Sequence, residues 1–144
     1  MPRTHHCVAS WTLRLIEREE EFIADSSVHF IGLNNSETQL IGTCSISNIV
    51  RGVFQSCHMG YSVDKNFEGQ GKMRELAEYT IEYVFAEIGL HRIIANHMPE
   101  NKRSEALLSR LGFEREGYAK RFLQIDGEWE DHVLNSLINK NYTS

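Results

Sequence analysis

The stretch that decides the fold is residues 60–97, GYSVDKNFEGQGKMRELAEYTIEYVFAEIGLHRIIANH. Apolar residues recur at steps of three and four over residues 73–88, which predicts a helix of about four turns. Gly89 suits the position directly after a helix. Segments typical of strands, at 53–63 and 91–97, flank this helix. The sequence therefore predicts a strand–helix–strand unit, which normally joins parallel strands by a right-handed crossover.

The loop before the helix carries two glycines, Gly69 and Gly71. Glycine lets the backbone approach a ligand and direct several N–H groups at one point. The helix that follows presents its positive dipole end at the same place. The spacing matches neither the dinucleotide GxGxxG pattern nor a P-loop. Two readings stay open for the loop alone, a seat for a pyrophosphate and a plain strand-to-helix turn.

The flanking segments complete one predicted domain, residues 1–144, with a mixed sheet and at least three helices. Asn101 is a favourable N-cap, Gly112 ends the helix that it begins, and Asp126-Gly127 between apolar runs predicts a hairpin. The further predicted helices cover 8–24 and 101–111, and the further predicted strands cover 28–33, 40–49, 113–125 and 129–138.

Composition restricts the classes of protein to consider. The chain has 144 residues, 41% of them hydrophobic, and a net charge of −5. No run reaches the ~18 apolar residues that span a bilayer, which excludes an integral membrane protein. The acidic balance argues against direct nucleic-acid binding and suits a cationic partner.

Metal and disulfide chemistry are not indicated either. The three cysteines are widely spaced without a CxxC pair, so neither a zinc site nor a disulfide framework is predicted. The beginning of the chain lacks the apolar segment of a secretory signal. We therefore expect a reduced, cytoplasmic protein without a metal, in which His5-His6-Cys7 belong to a frayed terminus.

The order strand, glycine loop, helix, strand, Asn-capped helix and Gly-Phe is accompanied by several short motifs. They are NIVRG at 48–52, HRIIAN at 91–96, NKRS at 101–104, LGFE at 111–114, EGYAK at 116–120, IDGEW at 125–129 and DHVL at 131–134. From about Cys7 onward the chain resembles the GNAT family of acetyl-CoA-dependent N-acetyltransferases, and within it the RimJ/RimL branch. The resemblance implies an α/β GNAT fold, whose mixed and mostly antiparallel sheet is flanked by helices.

The sequence departs from the family pattern in two ways. The family's pyrophosphate motif begins with Gln or Arg and ends with Gly or Ala, whereas Glu68 and Met73 stand at these places here. GNAT domains also usually begin with a strand and a helix that this chain is expected to lack. The acceptor groove would then be shortened or completed by a partner subunit, so a homodimer is one expectation.

The resemblance implies a role for each part of the cofactor site. Main-chain groups of Tyr61, Ser62 and Val63 are expected to hold the pantetheine arm and the thioester carbonyl. Asn101 is expected to contact the same arm, and Arg103 to lie close to it. The residues expected to hold the pyrophosphate are Gly69, Gln70, Gly71, Lys72, Met73 and Arg74.

Acetyl transfer also needs a proton donor for the leaving thiolate. Many GNAT enzymes use a Tyr on the short helix, but Leu108 stands at that position. Ser104 matches the serine proposed as donor in RimL relatives, and it shares the apolar face of the helix with Leu107 and Leu111. The alternative is a first-turn serine that satisfies a helix N–H group.

The general base stays open. Asn96 stands where some related enzymes keep a Glu, and it could orient a water; Leu123 stands at RimL's carboxylate position. His58 and His97 have suitable unperturbed pKa values near 6.5, although most such histidines are packed or on the surface. The acidic residues Asp126, Glu128 and Asp131 near the hairpin are candidates to bind a cationic amine, or simply part of a solvated turn.

Three functions follow from this reasoning. The first is acetyl transfer from acetyl-CoA to a basic protein N-terminus, with the alanine of a ribosomal protein as the leading acceptor. The second is the same chemistry on a small amine such as a polyamine or an aminoglycoside. The third is a non-catalytic module for acyl-CoA binding or ribosome assembly.

Overall fold

A computed structural model describes residues 2–8, 11–16, 27–34, 39–69 and 71–143. The strands are β1 (Pro2–Val8), β2 (Trp11–Ile16), β3 (Val28–Asn34), β4 (Leu40–Val50), β5 (Ser56–Val63), β6 (Arg92–His97), β7 (Glu114–Ile125) and β8 (Glu128–Ile138). The helices are α1 (Lys72–Tyr83), which continues as a π-helical turn (Val84–Ile88), and α2 (Lys102–Arg110). A short 3-10 turn, Lys65–Phe67, precedes α1.

Within the described residues, the strands form one eight-stranded sheet in the order β1-β2-β3-β4-β5-β6-β8-β7. The single parallel pair in this part of the chain is β5 with β6, and α1 provides its crossover. The other neighbours are antiparallel. The predicted mixed, mostly antiparallel sheet and the parallel crossover are confirmed.

One hydrophobic core joins the helices to the sheet. Leu76 and Val84 of the first helix and Leu108 of the second share a buried cluster with strand residues such as Ile93. Phe30 lies at its centre, with Tyr79 and Tyr83 edge-on to its ring at centroid distances of 5.8 and 5.1 Å. The predicted apolar face of residues 73–88 is therefore the face that packs, and Gly89 ends the helical run with a φ of 79°.

The predicted helix over residues 8–24 is wrong where the structure describes this segment. Val8 ends β1, and Trp11–Ile16 form β2, which pairs antiparallel along β3. Residues 9–10 and 17–24 lie outside the described part of the chain. A short apolar run suits either state, and pairing with β1 and β3 on its two sides overrides helical periodicity. The described residues accordingly contain two helices rather than three.

Two further boundaries differ from the sequence-based expectation. Pro2–Val8 are paired with β2, so the segment with His5-His6-Cys7 is a strand rather than a frayed end. The strand expected from Val53 begins at Ser56, because residues 52–54 form a turn in which the Val53 side chain is fully exposed. β-Branched residues favour strands, but the turn at Gly52 (φ 70°) extends past Val53.

Candidate active site

The site begins where β5 and β6 part. Their parallel register covers Ser56–His58 against Arg92–Ile94, while β5 continues to Val63 and β6 to His97. Beyond His58 the two strands are no longer paired with each other. On its other side β5 stays paired with β4 up to Val63. The gap therefore offers main-chain groups of β5 to a ligand that enters between the strands.

A cavity of about 530 Å³ lies between the end of β5, the glycine loop and α2. Its walls include ten of the predicted site residues, Tyr61, Ser62, Val63, Gly69, Gly71, Lys72, Met73, Asn101, Arg103 and Ser104. These residues come from three separate segments of the chain. Their convergence is what a site for an extended ligand requires.

The glycine loop owes its shape to backbone torsions. Gly69 and Gly71 have φ values of 75° and 74°, a region that side-chain-bearing residues rarely adopt. Gly71 is the N-cap of α1, and it contributes no side-chain acceptor to the first helical turn. An anion at this place can satisfy N–H groups of the turn and interacts favourably with the helix dipole.

The charges around the cavity favour a polyanion. Lys72, Arg103 and Arg110 border it together with one carboxylate, Glu68. Arg103 Nη1 lies 2.5 Å from Glu68 Oε2, so this ion pair links α2 to the loop before α1. The remaining positive excess is suited to phosphate groups.

The sequence analysis did not predict four of the described residues that line the cavity. One of them is Glu68, which it named only as a departure from the family motif. Arg110, Ala106 and Leu107 complete the α2 wall of the cavity. Positions 103, 107 and 110 follow steps of four and three and thus share one helix face. Helical spacing counted onward from Arg103 would have found Arg110.

Asn101 and Ser104 have separate roles at the start of α2. The side-chain oxygen of Asn101 accepts a hydrogen bond from the Ser104 amide at 3.2 Å, which confirms Asn101 as the N-cap. The Ser104 hydroxyl is therefore not needed as a cap. It lines the cavity and hydrogen-bonds to Tyr61, an interaction that opposes the rise that burial causes in the pKa of Tyr61.

Two predicted site residues, Arg74 and Asn96, do not line the described cavity. Arg74 points along α1 and pairs with Glu78 at 2.8 Å. Asn96 accepts a hydrogen bond from the Asn135 main chain at 3.4 Å, which ties β6 to β8. Gln70 lies outside the described residues.

The two candidate histidines differ in their surroundings. His97 is buried, and its Nδ1 lies 2.8 Å from the Met98 carbonyl oxygen to which it donates. His58 is half-buried, and burial lowers its pKa. It borders a second cavity of about 630 Å³ together with polar residues of β3 and β4.

The acidic residues of the hairpin lie outside the described cavities. Asp131 accepts hydrogen bonds from the Tyr118 hydroxyl at 2.6 Å and from the Arg121 amide at 2.9 Å. These bonds hold the pKa of Asp131 below its usual range. Its oxygens thus stabilise the irregular part of β7 around Arg121, whose φ is 49°. Asp126 and Glu128 belong to the turn and to its exposed flank.

The described part of the chain shows neither a metal-binding cluster nor a membrane-spanning helix. It contains no group of three or more His, Cys, Asp or Glu side chains placed to hold a metal ion. None of its helices has the length and hydropathy that crossing a membrane requires.

Comparison with known proteins agrees with the fold. The family model described as an acetyltransferase (GNAT) domain matches residues 3–114. Ribosomal protein uS5-alanine N-acetyltransferase of Escherichia coli strain K12 is 46% identical over 140 residues, which are 96% of this chain and 72% of that protein.

Solved structures show the same architecture. Ribosomal-protein-S5-alanine acetyltransferase from Vibrio fischeri superposes with a TM-score of 0.83 at 41% identity, over 87% of this chain and 68% of that one. Mycobacterium smegmatis RimJ, solved in complex with CoA-disulfide, gives a TM-score of 0.79 at 30% identity, over 87% and 59%. The chain belongs to the GNAT family and is an acetyl-CoA-dependent N-acetyltransferase.

Proposed function

We propose that this enzyme transfers the acetyl group of acetyl-CoA to the N-terminal alanine of a ribosomal protein. The observation that carries the choice of acceptor is the 46% identity to the Escherichia coli enzyme that is named for this reaction, over 96% of the chain. The acidic net charge of −5 agrees with a basic protein as acceptor. An acceptor of this kind places the enzyme in the cytoplasm, which we propose with it.

The cofactor roles follow from the walls of the 530 Å³ cavity. Main-chain groups of Tyr61 and Val63 face the gap beside β6 and hold the pantetheine arm. The glycine loop and Lys72 hold the pyrophosphate at the start of α1. Arg103 and Arg110 bring the positive side chains of α2 to the remaining phosphate charge.

The Ser104 hydroxyl supplies the proton that the leaving thiolate needs. It lines the cavity from the first turn of α2, and the Tyr61 hydroxyl is its hydrogen-bond partner. The Asn101 cap leaves the hydroxyl available, since the cap satisfies the Ser104 amide. General acid catalysis of this kind contributes about 10²–10⁴ in rate.

The test combines binding and turnover on one sample. Acetyl-CoA is titrated by calorimetry, and release of free thiol is then followed with a basic peptide that begins with alanine and with spermidine as the competing amine. We expect binding and faster thiol release with the peptide. Release with spermidine alone would overturn the proposed acceptor.

The role of Ser104 is tested by Ser104→Ala, with Ser109→Ala as the matched control on an exposed position of the same helix. We expect Ser104→Ala to lower kcat by about 100-fold or more, in line with loss of a general acid, while the Kd for acetyl-CoA stays the same. A kcat for Ser104→Ala equal to that of Ser109→Ala would contradict the proton donor.

We also propose that two copies of the chain form a homodimer. Near the tip of the β7–β8 hairpin, Phe122, Leu123, Ile125 and Trp129 are exposed apolar side chains, with Trp129 60% exposed. A cluster of large exposed apolar side chains is typical of an interaction surface. Light scattering should give twice the chain mass of 16.6 kDa, and Trp129→Ser should shift it towards the monomer.

A further inference from the structure

The cavity that His58 borders lies on the face of the sheet opposite to the site of Ser104. Residues 58 and 61 of one strand point to opposite faces because their separation is odd. Tyr61 lines the acetyl-CoA cavity together with Ser104, whereas His58 lines the second cavity with Ser27, His29, Ser47 and Asn48. The two cavities thus flank the sheet from its two sides.

His58 is also the last residue of β5 that is paired with β6, opposite Ile94. The gap between the strands opens directly after it. The side chain of His58 therefore lies at the start of this gap, on the face of the sheet opposite to Tyr61.

The surroundings of His58 favour the neutral form of its imidazole. Its Nδ1 is buried and has no hydrogen-bond partner among the described residues, and the same holds for Ser56 Oγ two residues away. An imidazolium would need an acceptor at both nitrogens. Burial lowers the pKa of His58 in the same direction.

The described parts of the neighbouring strands place no negatively charged side chain beside His58 that would stabilise its charged form. The side chains that share its face are Ser45 and Ser47 on β4, His29 on β3, and Arg92 and Ile94 on β6. Arg92 is occupied by Glu116 at 2.6 Å and by Ser136 at 2.8 Å. The described residues around the cavity contain no carboxylate that would stabilise a charged His58.

Gly60 is a second feature of the sheet face on which His58 lies. It follows His58 by two residues and therefore shares its face. A Cβ at Gly60 would meet no heavy atom within 4 Å, and its φ is not in the left-handed region, so the fold does not require a glycine. Glycine inside a strand weakens it and often marks the close approach of a ligand or another backbone.

We propose that His58 is the general base of the reaction, and that Gly60 beside it leaves room for the main chain of the acceptor. This inference rests on the proposed function and adds the side from which the acceptor enters. The neutral amine attacks the thioester carbonyl carbon and passes one proton to His58 Nε2. The C–S bond breaks as the Ser104 hydroxyl gives its proton to the sulfur. The proton on His58 then returns through solvent to the Ser104 oxygen. Both side chains thereby regain their starting protonation states.

The decisive measurement is the pH dependence of kcat/KM for the alanine peptide in wild type and His58→Gln. Below the lowered pKa of His58, both the enzyme base and the α-amino group, with a pKa of about 7.7–8.0, must lose a proton, so log kcat/KM of wild type should rise there with a slope near two. His58→Gln should show a slope near one, and a kcat/KM at pH 7 lower by about 100-fold or more. Its Kd for acetyl-CoA should stay within about twofold, which shows that the protein is folded.

The matched control is His91→Gln. His91 is a half-buried histidine just before β6 that packs edge-on to Tyr142 at 5.2 Å, away from both cavities. This variant should keep the slope of two. A slope of two in His58→Gln, or a wild-type profile of the same shape as that of His58→Gln, would overturn the general base.

Gly60→Ala tests the docking of the acceptor independently. We expect the KM for the peptide to rise about tenfold or more, since one methyl group in a binding site changes affinity by about 1–3 kcal/mol. The Kd for acetyl-CoA should not change. An unchanged peptide KM would place the acceptor elsewhere.

The spermidine reaction separates this inference from the proposed function. If wild type acetylates spermidine and not the peptide, the proposed acceptor fails, and the same pH profiles are recorded with spermidine. If it acetylates the peptide and His58→Gln keeps the wild-type profile, the base fails and the acceptor stands. Absence of thiol release with both amines would overturn the two together.

Discussion

At the scale of single residues, partners rather than residue types decide the chemistry. His58 and His97 are equally plausible bases in the sequence, but only His97 has its Nδ1 satisfied, by the Met98 carbonyl oxygen. Asn101 and Ser104 are both polar residues of a helix start, yet the cap leaves one hydroxyl in the cavity. A side chain whose hydrogen bonds are complete stabilises the fold, and one that lacks a partner inside a cavity is available to a ligand.

Glu68 provides a prediction at this scale. Among the described residues it is the one carboxylate on the cavity wall, and it pairs with Arg103, whose side chain is 69% exposed. An exposed ion pair is worth about 0.2–1 kcal/mol, so Glu68→Gln removes little stability while it frees Arg103 for phosphate. We expect acetyl-CoA to bind about two- to fivefold more tightly at low salt, and the gain to shrink at high salt.

Calorimetry with Glu105→Gln as the control separates this effect from a general change in charge. Glu105 is an exposed carboxylate of α2 that pairs with Lys102 at 3.2 Å outside the cavity. Equal affinities of the two variants would contradict a role of Glu68 in the phosphate site.

At the scale of elements, the site depends on how β5 is held. Gly42 of β4 lies directly against its end: a Cβ there would come within 2.7 Å of the Ser62 carbonyl oxygen and 3.3 Å of the Val63 Cα. The Ser62 carbonyl therefore points towards β4, on the edge of β5 opposite to the gap beside β6. Close approach of the two backbones therefore sets the position of this end of β5, which lines the cavity.

Gly42→Ala should force these atoms apart. We expect a loss of about 1–3 kcal/mol in the free energy of unfolding, the usual cost of overpacking, and weaker binding of acetyl-CoA. Denaturant titration and calorimetry measure the two effects.

Gly60→Ala is the matched strand control for stability and for acetyl-CoA, since a Cβ at Gly60 meets no atom within 4 Å. A stability of Gly42→Ala equal to that of Gly60→Ala would contradict the close approach.

At the scale of the whole molecule, the core keeps two thiols protonated. Cys44 and Cys57 are buried, and burial raises the pKa of each to about 12. The thiolate is the reactive form of cysteine. These two residues therefore serve the core and take no part in acetyl transfer near neutral pH.

The thiols predict how stability depends on pH. The unfolded chain releases their protons near the ordinary pKa of 9, and the folded chain holds them to about 12. Between these values the folded state binds more protons, so the free energy of unfolding falls as pH rises. Each thiol contributes about 1.4 kcal/mol per pH unit.

Urea titrations between pH 8 and pH 10 measure this slope. Cys44→Ala combined with Cys57→Ala should be less stable at pH 8 but should lose less stability on the way to pH 10. An equal decline in both proteins would contradict the assignment.

The sequence by itself determined the central unit of this protein. The period of residues 73–88, the torsions needed at Gly69 and Gly71, the Asn101 cap and the Asp126-Gly127 turn are local features, and each is found where the sequence predicts it. Local backbone preferences extend over a few residues, so they can be recognised in the sequence alone. Together with the resemblance to the GNAT family, they predicted the fold and most of the residues that line the cavity.

Only the tertiary structure decided what depends on distant neighbours. Trp11–Ile16 become a strand because β3 lies beside them, and Arg74 leaves the cavity because it pairs along its own helix. The link between Glu68 and Arg103 and the unpartnered Nδ1 of His58 arise where segments far apart in sequence meet. Burial and hydrogen-bond partners are properties of the packed chain, and no local pattern encodes them.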